Sequence, residues 1–196
     1  MKYDVILAGV GGQGILSIAT VIGSAALEEG LYLKQAEVHG MSQRGGDVQS
    51  NLRLSTEPIY SDLIPKGAAD MIVSLEPMEA LRYVPYLAPD GWIVTNTTPF
   101  QNIPDYPAIE KVLEELGKYP NVVALDADGI AKDLGSPRSA NMVLLGALAS
   151  ALEILEQERL REGIRRVFGR KGESVVETNL KAFDAGLAFF NNKSAK

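Results

Sequence analysis

Cysteine is absent from the 196-residue sequence, and histidine occurs once, as His39. Without thiols the chain forms no disulfide, supplies no cysteine nucleophile and cannot hold an iron–sulfur cluster through thiolates. A single histidine is too few for a histidine-based zinc site or for the paired-histidine helix of a metalloprotease. We therefore predict no metal site and assign no catalytic residue to this chain.

An excess of basic residues and long apolar runs are also missing. Lys and Arg number 19 against 25 Asp and Glu, for a net charge of -6, which argues against sequence-independent nucleic-acid binding. No stretch approaches the roughly 18 apolar residues of a membrane span; the nearest, Met142 to Leu155, is interrupted by Gly146, Ser150 and Glu153. The N-terminal residues lack the features of a signal peptide, so we expect a cytoplasmic protein.

What the sequence does contain is typical of one globular domain, and we expect a single domain over residues 1–196. Short apolar runs predict strands at 5–8, 33–38, 71–75, 92–95 and 122–125. Helices are predicted after Gly14, from Pro77 to about residue 88, at 109–117, at 142–155 and along the apolar stripe of 176–190. Residues 48–54 alternate like a strand, with Ile59 and Tyr60 as the returning strand of a hairpin. These patterns predict a three-layer α/β/α fold, Rossmann-like, with a largely parallel sheet and an appended antiparallel hairpin.

A glycine-rich turn follows the first predicted strand, with the sequence Gly9-Val10-Gly11-Gly12-Gln13-Gly14. In this spacing the first glycine allows a sharp turn, the second lets backbone approach an anion, and the third lets helix and strand pack closely. The free amides and the positive dipole end of the following helix attract phosphate. We predict that this turn binds a phosphate-bearing ligand, with a tight structural turn as the alternative.

Two kinds of nucleotide site are distinguished by the residues around this turn. The Lys-Ser/Thr pair of a P-loop is replaced by Ile15-Leu16, which excludes an ordinary P-loop site. An acidic residue, Glu37, stands near the end of the second strand, where a dinucleotide fold binds ribose. A self-contained NAD- or FAD-binding oxidoreductase therefore stays open, as does a regulatory nucleotide-binding module.

A second polar loop runs from His39 to Asp47 and includes Arg44 and the pair Gly45-Gly46. Arg44 is suited to clamping a carboxylate or phosphate, and the paired glycines allow a sharp turn. The single histidine is either a ligand contact or a hydrogen-bonded structural residue, and its role stays open.

Polar residues also open the predicted helices of the second half. Asp126 and Asp128 fit a helix N-cap better than a Mg²⁺ site. Ser139 is predicted to cap the buried helix that follows it, and Asn141 to face the ligand.

The two loops together resemble the gamma-type domain of thiamine-diphosphate-dependent 2-oxoacid:ferredoxin oxidoreductases. The resemblance continues through Ser139-Ala140-Asn141-Met142 and the later Asn179, Ala182 and Gly186, and so spans most of the chain. Within the family, the Gly-Met-Ser-Gln-Arg-Gly-Gly segment from Gly40 is most similar to that of the small (beta) subunit of indolepyruvate ferredoxin oxidoreductases. Gamma subunits of the pyruvate and 2-oxoglutarate enzymes are near alternatives.

This resemblance implies a function that the residues alone do not. Members decarboxylate a 2-oxoacid on thiamine diphosphate, pass electrons through iron–sulfur clusters to ferredoxin, and transfer the acyl group to coenzyme A. The resemblance implies that thiamine diphosphate and the clusters lie on a larger partner subunit, and that this chain is inactive alone, with a homodimer possible. The cofactor-binding residues implied for coenzyme A are Gly9, Gly11, Gly12, Gln13, Gly14, Arg44, Gly45 and Gly46. The 2-oxoacid-binding residues stay unknown.

Overall fold

The computed structural model describes residues 1–39, 46–101 and 103–194. Within these ranges the strands are β1 (Lys2–Val10), β2 (Tyr32–His39), β3 (Asp47–Ser55), β4 (Ala69–Ser74), β5 (Leu87–Asn96) and β6 (Val122–Leu125). The α-helices are α1 (Ile15–Glu28), α2 (Pro77–Tyr83), α3 (Ile109–Leu116), α4 (Ala127–Asp133), α5 (Ala140–Ala149), α6 (Gln157–Phe168) and α7 (Glu173–Ser194). Short 3₁₀ turns at Val84–Tyr86, Pro137–Ser139 and Gly169–Lys171 precede β5, α5 and α7.

The strands form one mixed sheet in the order β2-β3-β1-β4-β5-β6. Strands β1, β4, β5 and β6 run parallel, whereas β3 is antiparallel to both β1 and β2. The predicted α/β fold with a largely parallel sheet and an antiparallel hairpin is therefore confirmed.

The hairpin differs from the predicted one in its partner strand. Strand β3 pairs with β2 along its whole length, Tyr32 opposite Ser55 and His39 opposite Val48, and residues 59–60 form no strand. The prediction of Ile59 and Tyr60 as the returning strand was wrong, because alternation identifies a strand but not its partner. The hairpin also separates β2 from β1, so the first βαβ unit does not join neighbouring strands.

Two helices end several residues earlier than the sequence predicted. Helix α2 ends at Tyr83 rather than just before Pro89, and the residues 87–91 already belong to β5. Helix α5 ends at Ala149 rather than Leu155. Leu152 and Leu155 remain buried, but they reach the core from turns, so an apolar run alone overstated the helix length.

Helices cover both faces of the sheet. Val5 and Leu7 of β1 pack into a core formed with α1, α4, α5, α6 and α7. Ile6 and Ala8 of the same strand face the opposite core, which includes α2 and α3. This alternation follows from the two-residue repeat of a strand and gives the three predicted layers.

A buried ion pair holds the antiparallel part of the sheet together. Arg53 of β3 makes a two-point contact with the fully buried carboxylate of Asp4 on β1, at 2.9 and 3.0 Å. The same guanidinium donates to the carbonyl oxygens of Ser61 and Leu63, which fixes the segment between β3 and β4 over the sheet.

Glycines allow α5 and α7 to cross backbone against backbone. A Cβ atom on Gly146 would overlap the carbonyl oxygen of Phe183, and one on Gly186 would overlap that of Val143. The predicted burial of the α5 segment is confirmed, since all ten residues of the helix are buried. Among the helices within the described ranges, none is both long and apolar enough to cross a membrane.

Candidate functional site

The candidate site lies at the carboxyl edge of the parallel strands. The glycine-rich turn follows β1, Leu75 follows β4, and Asn96 ends β5. After β1 the chain turns toward β2 on one side of the sheet, whereas after β4 it proceeds toward β5 on the other. In open α/β sheets, ligands bind in the crevice at such a reversal.

The glycine-rich turn has a backbone conformation that side chains rarely adopt. Gly12 and Gly14 have φ angles of +103° and +82°, in the region that favours glycine. The side chain of Gln13 is folded inward: its Oε1 accepts from the Val10 amide at 2.7 Å, and its Nε2 donates to the Leu75 carbonyl oxygen at 3.1 Å. Gln13 therefore cross-links the turn to the end of β4, and its side-chain polar atoms are engaged there.

Asn141, in the first turn of α5, is hydrogen-bonded to the glycine-rich turn. Its Nδ2 donates to the Gly14 carbonyl oxygen at 3.1 Å, while its Oδ1 accepts from the Met142 amide at 2.9 Å. A Cβ atom on Gly14 would lie 2.8 Å from this Nδ2. Glycine is thus required at position 14 both by its φ angle and by the space available.

A cavity of about 790 Å³ opens beside the turn, within the 300–1,000 Å³ range of many cofactor sites. Its walls come from the glycine-rich turn, the ends of β4 and β5, the start of α4, the 136–141 segment, and the 168–179 segment. The first turns of α1, α5 and α7 all line it, through Ser17, Asn141 and Ser174 respectively. Helix N-termini carry partial positive charge, so three of them at one cavity favour an anionic ligand.

The side chains around this cavity reinforce that preference. Arg138 and Lys171 line it, and Asp128 is the acidic residue among the lining side chains. The Asp128 carboxylate accepts a 2.7 Å hydrogen bond from Asn96, which also donates to the Leu75 carbonyl oxygen. Helices α1 and α5 have no acidic residue in their first turn and no side-chain N-cap bond. A site with this charge distribution, on a chain of net charge -6, is suited to phosphate groups.

Ser139 and Asn179, two residues that contribute to the family resemblance, line the cavity and are hydrogen-bonded to each other. The Ser139 hydroxyl donates to Asn179 Oδ1 at 3.4 Å, and Asn179 Nδ2 donates to the Val175 carbonyl oxygen at 2.8 Å. Ser139 occupies the N-cap position of α5, but its hydroxyl makes no capping bond. The prediction that Ser139 caps α5 was therefore wrong, because its hydroxyl bonds to α7 and to Ser136 instead.

Of the other predicted site residues, some are placed by the structure and some lie outside the described residues. Asp126 is the N-cap of α4, accepting from the Gly129 amide at 2.8 Å, as predicted. Gly46 touches the glycine-rich turn, since its carbonyl oxygen accepts from the Gly11 amide at 2.8 Å. Arg44 and Gly45 lie outside the described residues, as does the side chain of His39. Among the side chains that the structure places, no group of three or more histidine or acidic residues could hold a metal ion.

A second, smaller cavity of about 230 Å³ lies near Gly46 and contains Glu76 and Tyr106. The buried carboxylate of Glu76 accepts from the Glu79 amide at 2.9 Å and from the Tyr106 hydroxyl. Burial, followed by the hydrogen bond to Glu76, raises the pKa of Tyr106. Glu76 thereby caps α2 and ties the segment after β5 to the end of β4, which is a positioning role.

Sequence reasoning missed Asn96, Arg138 and Lys171 as lining residues. Asn96 had a usable signal, because it ends a predicted parallel strand and such ends meet at the ligand edge. Lys171 had none, since only the packing of α6 and α7 brings it to the cavity.

The chain is similar to known proteins along nearly its whole length. The sequence profile of the family described as pyruvate ferredoxin/flavodoxin oxidoreductase matches residues 4–189. Subunit IorB of indolepyruvate oxidoreductase from Pyrococcus horikoshii is 39% identical, over 95% of each chain. The IorB subunit of Thermococcus kodakarensis is 38% identical, again over 95% of each chain.

A solved structure adds a likeness in three dimensions. The 2-oxoglutarate:ferredoxin oxidoreductase of Magnetococcus marinus, solved with 2-oxoglutarate, coenzyme A and succinyl-CoA bound, is similar with a TM-score of 0.75 and 26% identity. The match covers 97% of the present chain and 31% of that longer chain.

Proposed function

The chain belongs to the pyruvate ferredoxin/flavodoxin oxidoreductase family and is a subunit of a 2-oxoacid:ferredoxin oxidoreductase, and from this we propose that it forms the coenzyme A-binding wall of a shared active site. The reaction proposed is oxidative decarboxylation of a 2-oxoacid to an acyl-CoA, with the electrons passed to ferredoxin. On this proposal residues 1–196 form one gamma-type domain that is inactive alone.

The cavity beside the glycine-rich turn is the observation that carries the proposal. Coenzyme A bears a diphosphate and a ribose 3′-phosphate, so its site must accommodate several negative charges. The first turns of α1, α5 and α7, together with Arg138 and Lys171, supply the matching positive potential. The bound coenzyme A in the M. marinus relative supports this choice of ligand over other phosphate compounds.

The glycine-rich turn is proposed to contact the diphosphate. Its Gly12 and Gly14 line the cavity, and backbone without side chains lets amides approach phosphate closely. Gly9, Gly11 and Gln13 shape the turn. Arg44, Gly45 and Gly46 are proposed to lie at the same site or at the subunit interface, a placement supported by the contact between Gly46 and Gly11.

The partner is proposed to be a larger subunit that carries thiamine diphosphate and iron–sulfur clusters. The present chain has no cysteine, so it cannot supply thiolates to a cluster. Thiamine diphosphate supplies the decarboxylation chemistry when bound on that partner. Ferredoxin is proposed to accept electrons from the assembled complex. A homodimer of the chain and a cytoplasmic location stay predictions.

An aryl 2-oxoacid such as indolepyruvate is the proposed substrate. The IorB relatives named above, at 38–39% identity, are subunits of indolepyruvate oxidoreductases, which supports this choice. Selection of the 2-oxoacid is expected mainly on the partner, beside thiamine diphosphate.

The geometry disfavours the dinucleotide alternative. Glu37 of β2 pairs with Ser50 of β3, and Ser50 pairs in turn with Leu7 of β1. Because β3 lies between them, Glu37 is about 10 Å from β1, twice the spacing of neighbouring strands. A carboxylate displaced in this way is poorly placed for a ribose bound at the glycine-rich turn. Weaker NAD or FAD binding in Glu37→Ala, measured by calorimetry, would revive that alternative.

The test uses the chain purified together with its larger subunit. Coenzyme A-dependent reduction of a low-potential dye is measured with indolepyruvate, phenylpyruvate and pyruvate. Ser17→Asp places a carboxylate in the first turn of α1. The helix dipole stabilises a negative charge there, so the variant should fold, but the carboxylate repels a phosphate bound in the cavity. We expect the KM for coenzyme A to rise about tenfold or more, with the KM for the 2-oxoacid unchanged.

Thr20→Asp is the matched control, since Thr20 is exposed on the same helix and does not line the cavity. Equal effects of the two substitutions, or no effect of Ser17→Asp, would overturn the assignment of coenzyme A to this cavity. A complex that reduces the dye without coenzyme A would overturn the proposed reaction.

A further inference from the structure

Two cationic side chains of the large cavity have no acidic partner within the described part of the chain. Arg138 and Lys171 line the cavity, and neither forms an ion pair with any residue that the structure places. Several other arginines do form ion pairs with carboxylates, namely Arg53, Arg82, Arg159, Arg161, Arg165 and Arg166. On a chain with more acidic than basic residues, unpaired cations at a cavity indicate a site for an anion.

Both cations are far from the glycine-rich turn in sequence, and each lies within two residues of the start of a helix. Arg138 lies in the 3₁₀ turn before α5, and Lys171 ends the 3₁₀ turn before α7. The Lys171 ammonium lies 5.4 Å from the ring centroid of Phe168, which also lines the cavity. The cavity is therefore lined by two kinds of positive group: backbone amides of the glycine-rich turn, and the charged side chains of Arg138 and Lys171.

The two kinds of positive group suit different phosphate groups. Glycine-rich backbone allows the close approach that a diphosphate inside a chain-like ligand requires. A terminal phosphate monoester carries close to two negative charges at neutral pH and three strong acceptor oxygens, which arginine and lysine side chains bind well.

We propose that Arg138 and Lys171 bind the ribose 3′-phosphate of coenzyme A, so that this subunit discriminates coenzyme A from dephospho-coenzyme A. The inference rests on the proposed function, because it assigns the far end of the same ligand. It adds a specificity-determining pair of side chains to a site otherwise built from backbone and helix termini.

The experiment compares coenzyme A with dephospho-coenzyme A in the purified complex of this chain and its larger subunit. The wild-type complex is expected to have a KM for dephospho-coenzyme A about tenfold above that for coenzyme A. In the double variant Arg138→Gln, Lys171→Gln, the KM for coenzyme A is expected to rise to that of dephospho-coenzyme A, which itself changes little. Both side chains are exposed, so neither substitution removes a buried contact. Arg170→Gln, at an exposed residue that does not line the cavity, is the control and leaves both KM values unchanged.

Other outcomes separate this inference from the proposed function. A parallel rise of both KM values would place the two cations at the diphosphate and overturn the 3′-phosphate assignment alone. No change in the double variant, with a raised coenzyme A KM in Ser17→Asp, would also overturn only this inference. No change in either variant would overturn both proposals.

Discussion

The side-chain amide of Asn141 donates a 3.1 Å hydrogen bond to the carbonyl oxygen of Gly14, although 127 positions of sequence separate the two residues. This bond joins the first turn of α5 to the N-cap residue of α1. Two helix N-termini that line the cavity are thereby held in one arrangement, which is the pre-organisation that an anion site requires.

Replacing Gly14 with alanine is expected to weaken both folding and ligand binding. A non-glycine residue at a φ of +82° costs about 1–2 kcal/mol, and displacing Asn141 forfeits a hydrogen bond of about 1 kcal/mol. Urea unfolding should show a loss of about 2–3 kcal/mol in the free energy of unfolding. Gly169→Ala is the control: Gly169 has a helical φ of -54°, and a Cβ there meets no heavy atom within 4 Å. A wild-type stability for Gly14→Ala would contradict the role given to this residue.

Replacing Gly186 with alanine is expected to destabilise the α5–α7 crossing. The added methyl group would overlap the Val143 carbonyl oxygen, and backbone atoms cannot be displaced as a flexible side chain can. Overpacking of this kind costs about 1–3 kcal/mol. Thermal or urea unfolding measures it, with Ala188→Ser on the exposed face of the same helix as the control. A change below about 0.5 kcal/mol would show that the helices can separate without cost.

Removing Arg53 is expected to leave a buried charge only partly compensated. Arg53→Met deprives Asp4 of its two-point partner and leaves the half-exposed Lys2 ammonium at 2.7 Å. Breaking one side of a buried pair costs about 3–5 kcal/mol. The double variant Asp4→Leu, Arg53→Met should recover much of that loss, and a double-mutant cycle by urea unfolding measures the coupling. Additive effects of the two single substitutions would contradict a direct interaction.

Alkaline pH is expected to destabilise the fold through a buried tyrosine. Burial, with smaller effects of Asp47 and Glu79, raises the pKa of Tyr83 from 10.0 to about 12. A raised pKa in the folded state favours the neutral phenol, so this stabilisation is complete below pH 10 and is lost as the pH rises through about 12. Urea midpoints measured across that range should fall less in Tyr83→Phe than in the wild type. Tyr60→Phe, at a ring that is 92% exposed, is the control and should follow the wild type.

The local features were predictable because they depend on neighbouring residues. Strand β6 coincides with the predicted 122–125 run, and α3 agrees to within a residue. The glycine-rich turn and its following helix were also read correctly, since glycine spacing and helical periodicity are short-range signals. That the glycine-rich turn, Arg44, Gly45 and Gly46 contact the ligand stays a prediction, and Arg44 and Gly45 lie outside the described residues.

The glycine-rich turn, the missing cysteines and the acidic balance were determined by the sequence alone, because composition and local backbone preference need no knowledge of distant contacts. Only the tertiary structure decided that β3 separates β2 from β1. It also decided that residues near 140 and 175 line the same cavity as the glycine-rich turn. The physical reason is that pairing and packing between distant segments depend on matching surfaces. The arginine and lysine of the proposed 3′-phosphate site come to line one cavity only when α5 and α7 have packed.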